Sequence, residues 1–154
     1  MQHKFYRMKK IKYLYFIAAA SAFLFCSCSK KNNPAPFNPV ISLKFNNTAF
    51  SSSNFTVSSA SNTIQINGQF VGQATVALSI PNAKIGSFDI ATSGATLHFA
   101  NGPAVQDDYA ATSGTIIVTS LTSTTIAGTF AVSANNVAGV SANITDGQFQ
   151  AKLP

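Results

Sequence analysis

From Val40 onward apolar residues recur at every second position, and this alternation constrains the fold more than any other feature of the chain. It runs through Leu43 and Phe45, Phe55 and Val57, Ile64 and Ile66, Val76, Leu78 and Ile80, Leu97 and Phe99, Ile116 and Val118, and Phe130 and Val132. A period of two places alternate side chains on opposite faces of a strand, so one face of each run is apolar. The intervening positions are mostly Ser, Thr, Asn, Gln and Ala, as in Thr63-Ile64-Gln65-Ile66-Asn67. That pattern favours antiparallel sheets wet on one side over parallel sheets buried on both. Turn formers separate the runs at Asn46-Asn47, Asn67-Gly68, Pro81-Asn82, Ser93-Gly94, Asn101-Gly102-Pro103, Ser113-Gly114, Asn135-Asn136 and Asp146-Gly147. About eight to ten short strands are expected. No window carries a helical stripe, and the Ala-rich stretch 131–142 is interrupted by Asn135, Asn136 and Gly139. The expected fold is all-β, an antiparallel β-sandwich, with a closed β-barrel as the alternative because both use the same alternation and turn spacing.

A short signature, Gly-x-Phe, occurs at Gly68-Gln69-Phe70, Gly86-Ser87-Phe88, Gly128-Thr129-Phe130 and Gly147-Gln148-Phe149. Glycine and phenylalanine two apart face the same side of a strand, and the missing side chain leaves room for a neighbouring ring to lie over the backbone. The signature reads as sheet architecture, with an aromatic binding surface as the second reading.

The 154-residue chain carries a formal charge of +6, yet Lys4, Arg7, Lys9, Lys10 and Lys12 all precede residue 13. The apolar run Tyr13–Phe25 follows them, in the order of a secretory signal. Its 13 residues span only about 20 Å as a helix, short of the ~30 Å hydrocarbon core. Met8 before Lys9-Lys10 offers a second start besides Met1. Residues 1–27 are therefore read as a signal peptide, 28–39 as a Pro/Asn-rich tether with prolines at 34, 36 and 39, and 40–154 as one β domain.

Composition closes several functions to that domain. From Cys28 on there are Lys30, Lys31, Lys44, Lys84 and Lys152 against Asp89, Asp107, Asp108 and Asp146, with no Glu, Arg or Trp. Nucleic-acid binding lacks its basic footprint. Asp107-Asp108 are read as solvated loop residues, with a loose Ca²⁺ site as the weaker reading, since no spaced Asp-x-Asp-x-Asp-Gly loop supports one. Asp89 and Asp146 fall at a strand edge and a turn. His98 alternates with Leu97 and Phe99 and so should face solvent, and no Gly-x-Ser-x-Gly supplies a nucleophile for it. One His and no further Cys leave a zinc site short of ligands. The sequons at Asn46, Asn54 and Asn143 mark polar surface. Cys26 and Cys28 are too close for good bridging geometry.

The run Phe25-Cys26-Ser27-Cys28-Ser29-Lys30 resembles the lipobox of bacterial lipoproteins in the looser form of the Bacteroidota, with Phe25 where Leu is usual. The resemblance implies that Cys28 becomes the N-terminus of the mature protein and carries acyl chains, palmitate among them, an anchor of effectively permanent strength. Ser29 resembles the sorting residue of outer-membrane lipoproteins, and Lys30-Lys31-Asn32-Asn33 stands where surface-exported ones carry acidic residues. The periplasmic face of the outer membrane is implied, with the cell surface left open. Leu43–Phe50, Ile64–Gly68, Gly114–Ser120, Ile126–Phe130 and Ile144–Phe149 resemble a family of small Bacteroidota lipoproteins whose β-rich domain has no assigned function. The expected role is non-enzymatic and free of cofactors, binding or assembly with a protein or glycan of the envelope. The alternative is a lipocalin-like carrier of a small apolar ligand, and hydrolysis at Asp107, Asp108 and His98 is the least favoured.

Overall fold

The computed structural model describes residues 37–154, so the expected signal peptide, Cys28 and the tether up to residue 36 lie outside the described residues. The strands are β1 (Val40–Phe45), β2 (Thr48–Ser52), β3 (Phe55–Ala60), β4 (Thr63–Gln69), β5 (Thr75–Pro81), β6 (Gly86–Asp89), β7 (Thr96–Ala100), β8 (Asp108–Leu121), β9 (Thr125–Asn136) and β10 (Ser141–Lys152). Two single 3-10 turns, Val71–Gln73 and Val105–Asp107, interrupt the meander.

All pairings are antiparallel. The strands form one sheet in the order β2-β1-β10-β9-β8-β7-β5-β4-β3, with β6 also beside β8. Nine strands sweep 253° around the axis and leave a narrow seam. The expected sandwich is thus overturned: the described residues form a single, nearly closed β-barrel. What decides it is a long-range pairing that alternation cannot encode. The first and last strands join, from Val40 opposite Gln150 to Phe45 opposite Ile144, so the sheet closes on itself instead of splitting in two.

The direction of the strands shows how the seam is bridged. Eight successive antiparallel steps lead from β2 round to β3, so these two run the same way. Only Ser53 and Asn54 separate them, and a two-residue link cannot make the crossover that adjacent parallel strands require. They are therefore consecutive halves of one kinked strand that pairs with β1 through its first half and with β4 through its second. In the same way β6 and β7 lie along one edge of β8. Between them residues 90–95 loop out from Asp89, whose Oδ1 accepts the Ala91 N–H at 2.9 Å and the Thr92 hydroxyl at 3.1 Å. Counting each interrupted strand once, the described residues form an eight-stranded up-and-down meander.

Bulges curl the long strands around the axis. In β8 the extra residues are Thr112 and Thr119, and each hydroxyl donates across the ladder, Thr112 to the Ser133 carbonyl at 3.3 Å and Thr119 to that of Ala127 at 3.2 Å. In β10 the extra residue is Asp146, at φ 51°. Asp146-Gly147, Ser113-Gly114 and Asn67-Gly68, expected as turns, lie within β10, β8 and β4 instead. Asn46-Asn47 forms the expected two-residue hairpin, with both residues at positive φ, and a hairpin the sequence reading missed is made by Ser61-Asn62 in the same conformation.

The inward faces carry the alternating residues: Ile41 and Leu43, Ile64 and Ile66, Val76, Leu78 and Ile80, Leu97 and Phe99, Ile116 and Val118, and Ile144 and Phe149 are all buried. No buried polar or charged residue occurs among the described residues. Side chains fill the interior, as expected for an eight-stranded barrel. At Gly68 even a Cβ would come within 2.9 Å of Ile41 of β1, which lies just beyond the β2–β3 strand.

Candidate functional site

Because the interior is packed, a ligand site has to be sought where the sheet opens. β1 begins at one end of the barrel, the lower end. Its far end, together with the β4–β5, β7–β8 and β9–β10 connections, forms the upper end. There β2 turns its outer edge to the seam and the β4–β5 connection swings away from it, leaving a cleft of about 510 Å³. This falls within the range of small-ligand pockets, about 300–1,000 Å³.

The cleft is lined by Ser51, Ser52, Asn54, Gln69, Phe70 and Gln73, with the exposed Val71 and with Ala74 and Thr75 beside them. Asn54 is held across the kink: its carbonyl accepts the Gln69 N–H at 2.9 Å and its side-chain amide donates to Gln69 Oε1 at 3.2 Å. Phe70 is the floor, and it belongs to an aromatic cluster just beneath the upper end. Phe50 meets Phe70 at 5.6 Å and Phe99 at 5.2 Å, and Phe45 meets Phe99 at 4.8 Å and Tyr109 at 4.9 Å between ring centroids. Among the described residues no charged side chain lines the cleft. Its chemistry is therefore that of an apolar floor under a rim of amides and hydroxyls.

The residues singled out from sequence sit elsewhere. His98 lies on the outer wall at the upper end, facing solvent as expected, with its Nδ1 3.9 Å from Asp108 Oδ1. That separation is too long for a hydrogen bond, and both side chains are about half exposed. Asp107 turns away from the pair: its Oδ2 accepts the Ala104 N–H at 3.3 Å and its carbonyl accepts the Asn101 N–H at 2.9 Å, closing the 3-10 turn. The fold brings one of the two aspartates to His98, not both. Among the described residues no three His, Cys, Asp or Glu side chains gather as a metal site. Asp89 organises the 90–95 loop, and Asp146 pairs with Lys44 at 2.8 Å. This hydrogen bond, reinforced by the carboxylate charge, holds the Lys44 ammonium above its ordinary pKa. The sequon asparagines have structural partners as well: Asn46 Oδ1 accepts the Asn143 N–H at 3.1 Å, and Asn143 Oδ1 accepts the Ser133 hydroxyl at 3.3 Å. Cys28 lies outside the described residues.

Sequence reasoning placed Phe70 in a Gly-x-Phe repeat and Asn54 in a sequon, but it did not join them into a site. The local signal was Phe70-Val71-Gly72-Gln73, where the alternation breaks and Gly72 takes φ 83°. A second feature of the upper end was also missed. Val71, Val105, Val137 and Val140 stand exposed on its three longer connections, and the Asn136 side chain ties two of these together by donating to the Gln106 carbonyl at 2.8 Å.

Residues 37–152 match the sequence profile of DUF6252, a domain of unknown function. The chain belongs to the DUF6252 family. No curated protein and no solved structure matches it. The match begins at residue 37, just before β1, and ends on the last residue of β10, so it spans every strand of the barrel.

Proposed function

We propose that this DUF6252 domain is a non-enzymatic binding module that takes an uncharged ligand with an apolar group at the upper end, in the seam cleft. The observation that carries the reading is the cleft itself: a neutral, hydrogen-bonding rim over Phe70, backed by aromatic rings, in a barrel whose interior is already full. The role is lipocalin-like in fold and in its preference for an apolar group, but the group rests at the mouth and not on the axis. The lipobox-like run around Cys28 further supports a protein anchored by acyl chains at the periplasmic face of the outer membrane, as in the Bacteroidota lipoproteins it resembles. Loss of membrane fractionation and of acyl label in Cys28→Ala is the expected result; a variant still recovered with lipid attached would remove the anchor.

The binding reading is tested by thermal unfolding against fatty acids and neutral oligosaccharides, with Phe70→Ala alongside. A ligand at 100 times its Kd stabilises by about 2.7 kcal/mol. The expected outcome is a rise in Tm with a ligand bearing an apolar group, lost in Phe70→Ala; a rise unchanged in that variant would place the site elsewhere. The four exposed valines favour a second reading, a protein partner gripping the upper end. Crosslinking in cells that persists in Val105→Asp/Val137→Asp would dismiss it.

A further inference from the structure

The wall of the cleft formed by β2 is an unpaired strand edge. The hairpin at Asn46-Asn47 joins Phe45 and Thr48, and a two-residue turn of this kind makes that pair hydrogen-bonded. Thr48, Phe50 and Ser52 therefore direct their backbone groups to β1, and the N–H and C=O of Ala49 and Ser51 point the other way, into the seam. Among the described residues β2 pairs with β1 alone, and neither Ala49 nor Ser51 has a further backbone partner there.

Edge strands are ordinarily blunted by charge, proline or a bulge. β2 has none of these: its sequence is Thr-Ala-Phe-Ser-Ser and its pairing with β1 is regular. The outward side chains at this edge, Ala49 and Ser51, are small and exposed, so a chain can approach the backbone. Phe50, between them, points inward and is half-buried, where it meets Phe70 on the floor. The cleft thus offers main-chain donors and acceptors at a strand's spacing, an apolar floor on one side of that line, and the amides of Gln69 and Gln73 across it.

We infer that the ligand of the seam cleft is an extended, uncharged peptide segment of another protein, added as a strand to the free edge of β2. Its backbone pairs with Ala49 and Ser51, one inward side chain rests on Phe50 and Phe70, and its outward side chains face the amide rim. The inference rests on the cleft being the binding site and specifies what that site takes.

The probe is a blocked heptapeptide of alternating threonine and valine, added to the full chain and read by amide NMR and hydrogen exchange. At ten times Kd, exchange of the Ala49 and Ser51 amides is expected to slow by about tenfold, with the Thr48, Phe50 and Ser52 amides unchanged. Ser51→Pro removes one edge donor and Phe70→Ala removes the floor. Loss of peptide binding in both supports strand addition. Loss in Phe70→Ala alone overturns strand addition and leaves the cleft as the site. Binding retained in both overturns the cleft and the inference with it. Ala49 and Ser51 amides already protected before peptide is added would show the edge occupied and would also overturn the proposal. So would an oligosaccharide shifting the cleft amides where the peptide does not.

Discussion

Phe149 lies over Gly128, its hydrogen-bonded neighbour across the β9–β10 ladder, and two rungs along, Phe130 lies over Gly147. Each ring belongs to the Gly-x-Phe of one strand and covers the glycine of the other, and the two rings stack at 6.5 Å. A Cβ on Gly128 would meet the Phe149 ring and the Ile117 carbonyl; one on Gly147 would meet the Phe130 ring. Gly128→Ala and Gly147→Ala should each destabilise by about 1–3 kcal/mol, the overpacking range. Chemical denaturation measures it. In Phe130→Leu the added cost of Gly147→Ala should shrink, and strict additivity would mean that the ring is not what the glycine accommodates.

The Ser61-Asn62 hairpin places both residues at positive φ, 50° and 62°. Glycine takes that conformation without the strain a side chain brings, so Asn62→Gly should raise stability by about 0.5–1 kcal/mol. A lower denaturation midpoint would show that the asparagine side chain holds the turn by a contact of its own.

Lys44 is hydrogen-bonded to the bulge residue Asp146, which raises its pKa. A raised pKa in the folded state contributes stability below the unfolded value and loses it as pH climbs through the folded one. The wild type should therefore lose Tm relative to Lys44→Met as pH passes about 10.4, the ordinary lysine value. Parallel curves for the two proteins would show the pair to be without thermodynamic weight, the common fate of exposed ion pairs.

The bulge threonines give a further test. Thr112→Val and Thr119→Val keep shape and remove the hydroxyl bonded to the facing strand. Each should cost about 0.5–1.5 kcal/mol, the net worth of one such bond. Mutations at the neighbouring exposed Ser120, which has no comparable side-chain partner, should stay within about 0.5 kcal/mol.

These same residues show how far the chain could be read in advance. Alternation located the inward residues of β4, β5 and β7, because burial on one face is written locally at every second position. The Gly-x-Phe pattern foretold rings over glycines, and two of its four instances do this, at Gly128 and Gly147, while Gly68 faces Ile41 and Val76 and Gly86 faces open space. Closure was not legible. Whether β1 meets β10 depends on partners 99 to 110 residues apart, and Asp146-Gly147 spells a turn and a bulge alike. The cleft was hidden for a related reason: Ser51 and Gln69 become neighbours only because β2 and β3 are one strand with two partners.

The position of β1, between β2 and β10 and antiparallel to both, has a mechanical meaning. Tension entering at Val40 and resisted by whatever holds the upper loops runs along the strands, perpendicular to the hydrogen bonds that flank β1. The two ladders then carry the load in shear, all rungs together, instead of opening from one end like a zip. A barrel so loaded is suited to being held by its beginning and pulled from its far end.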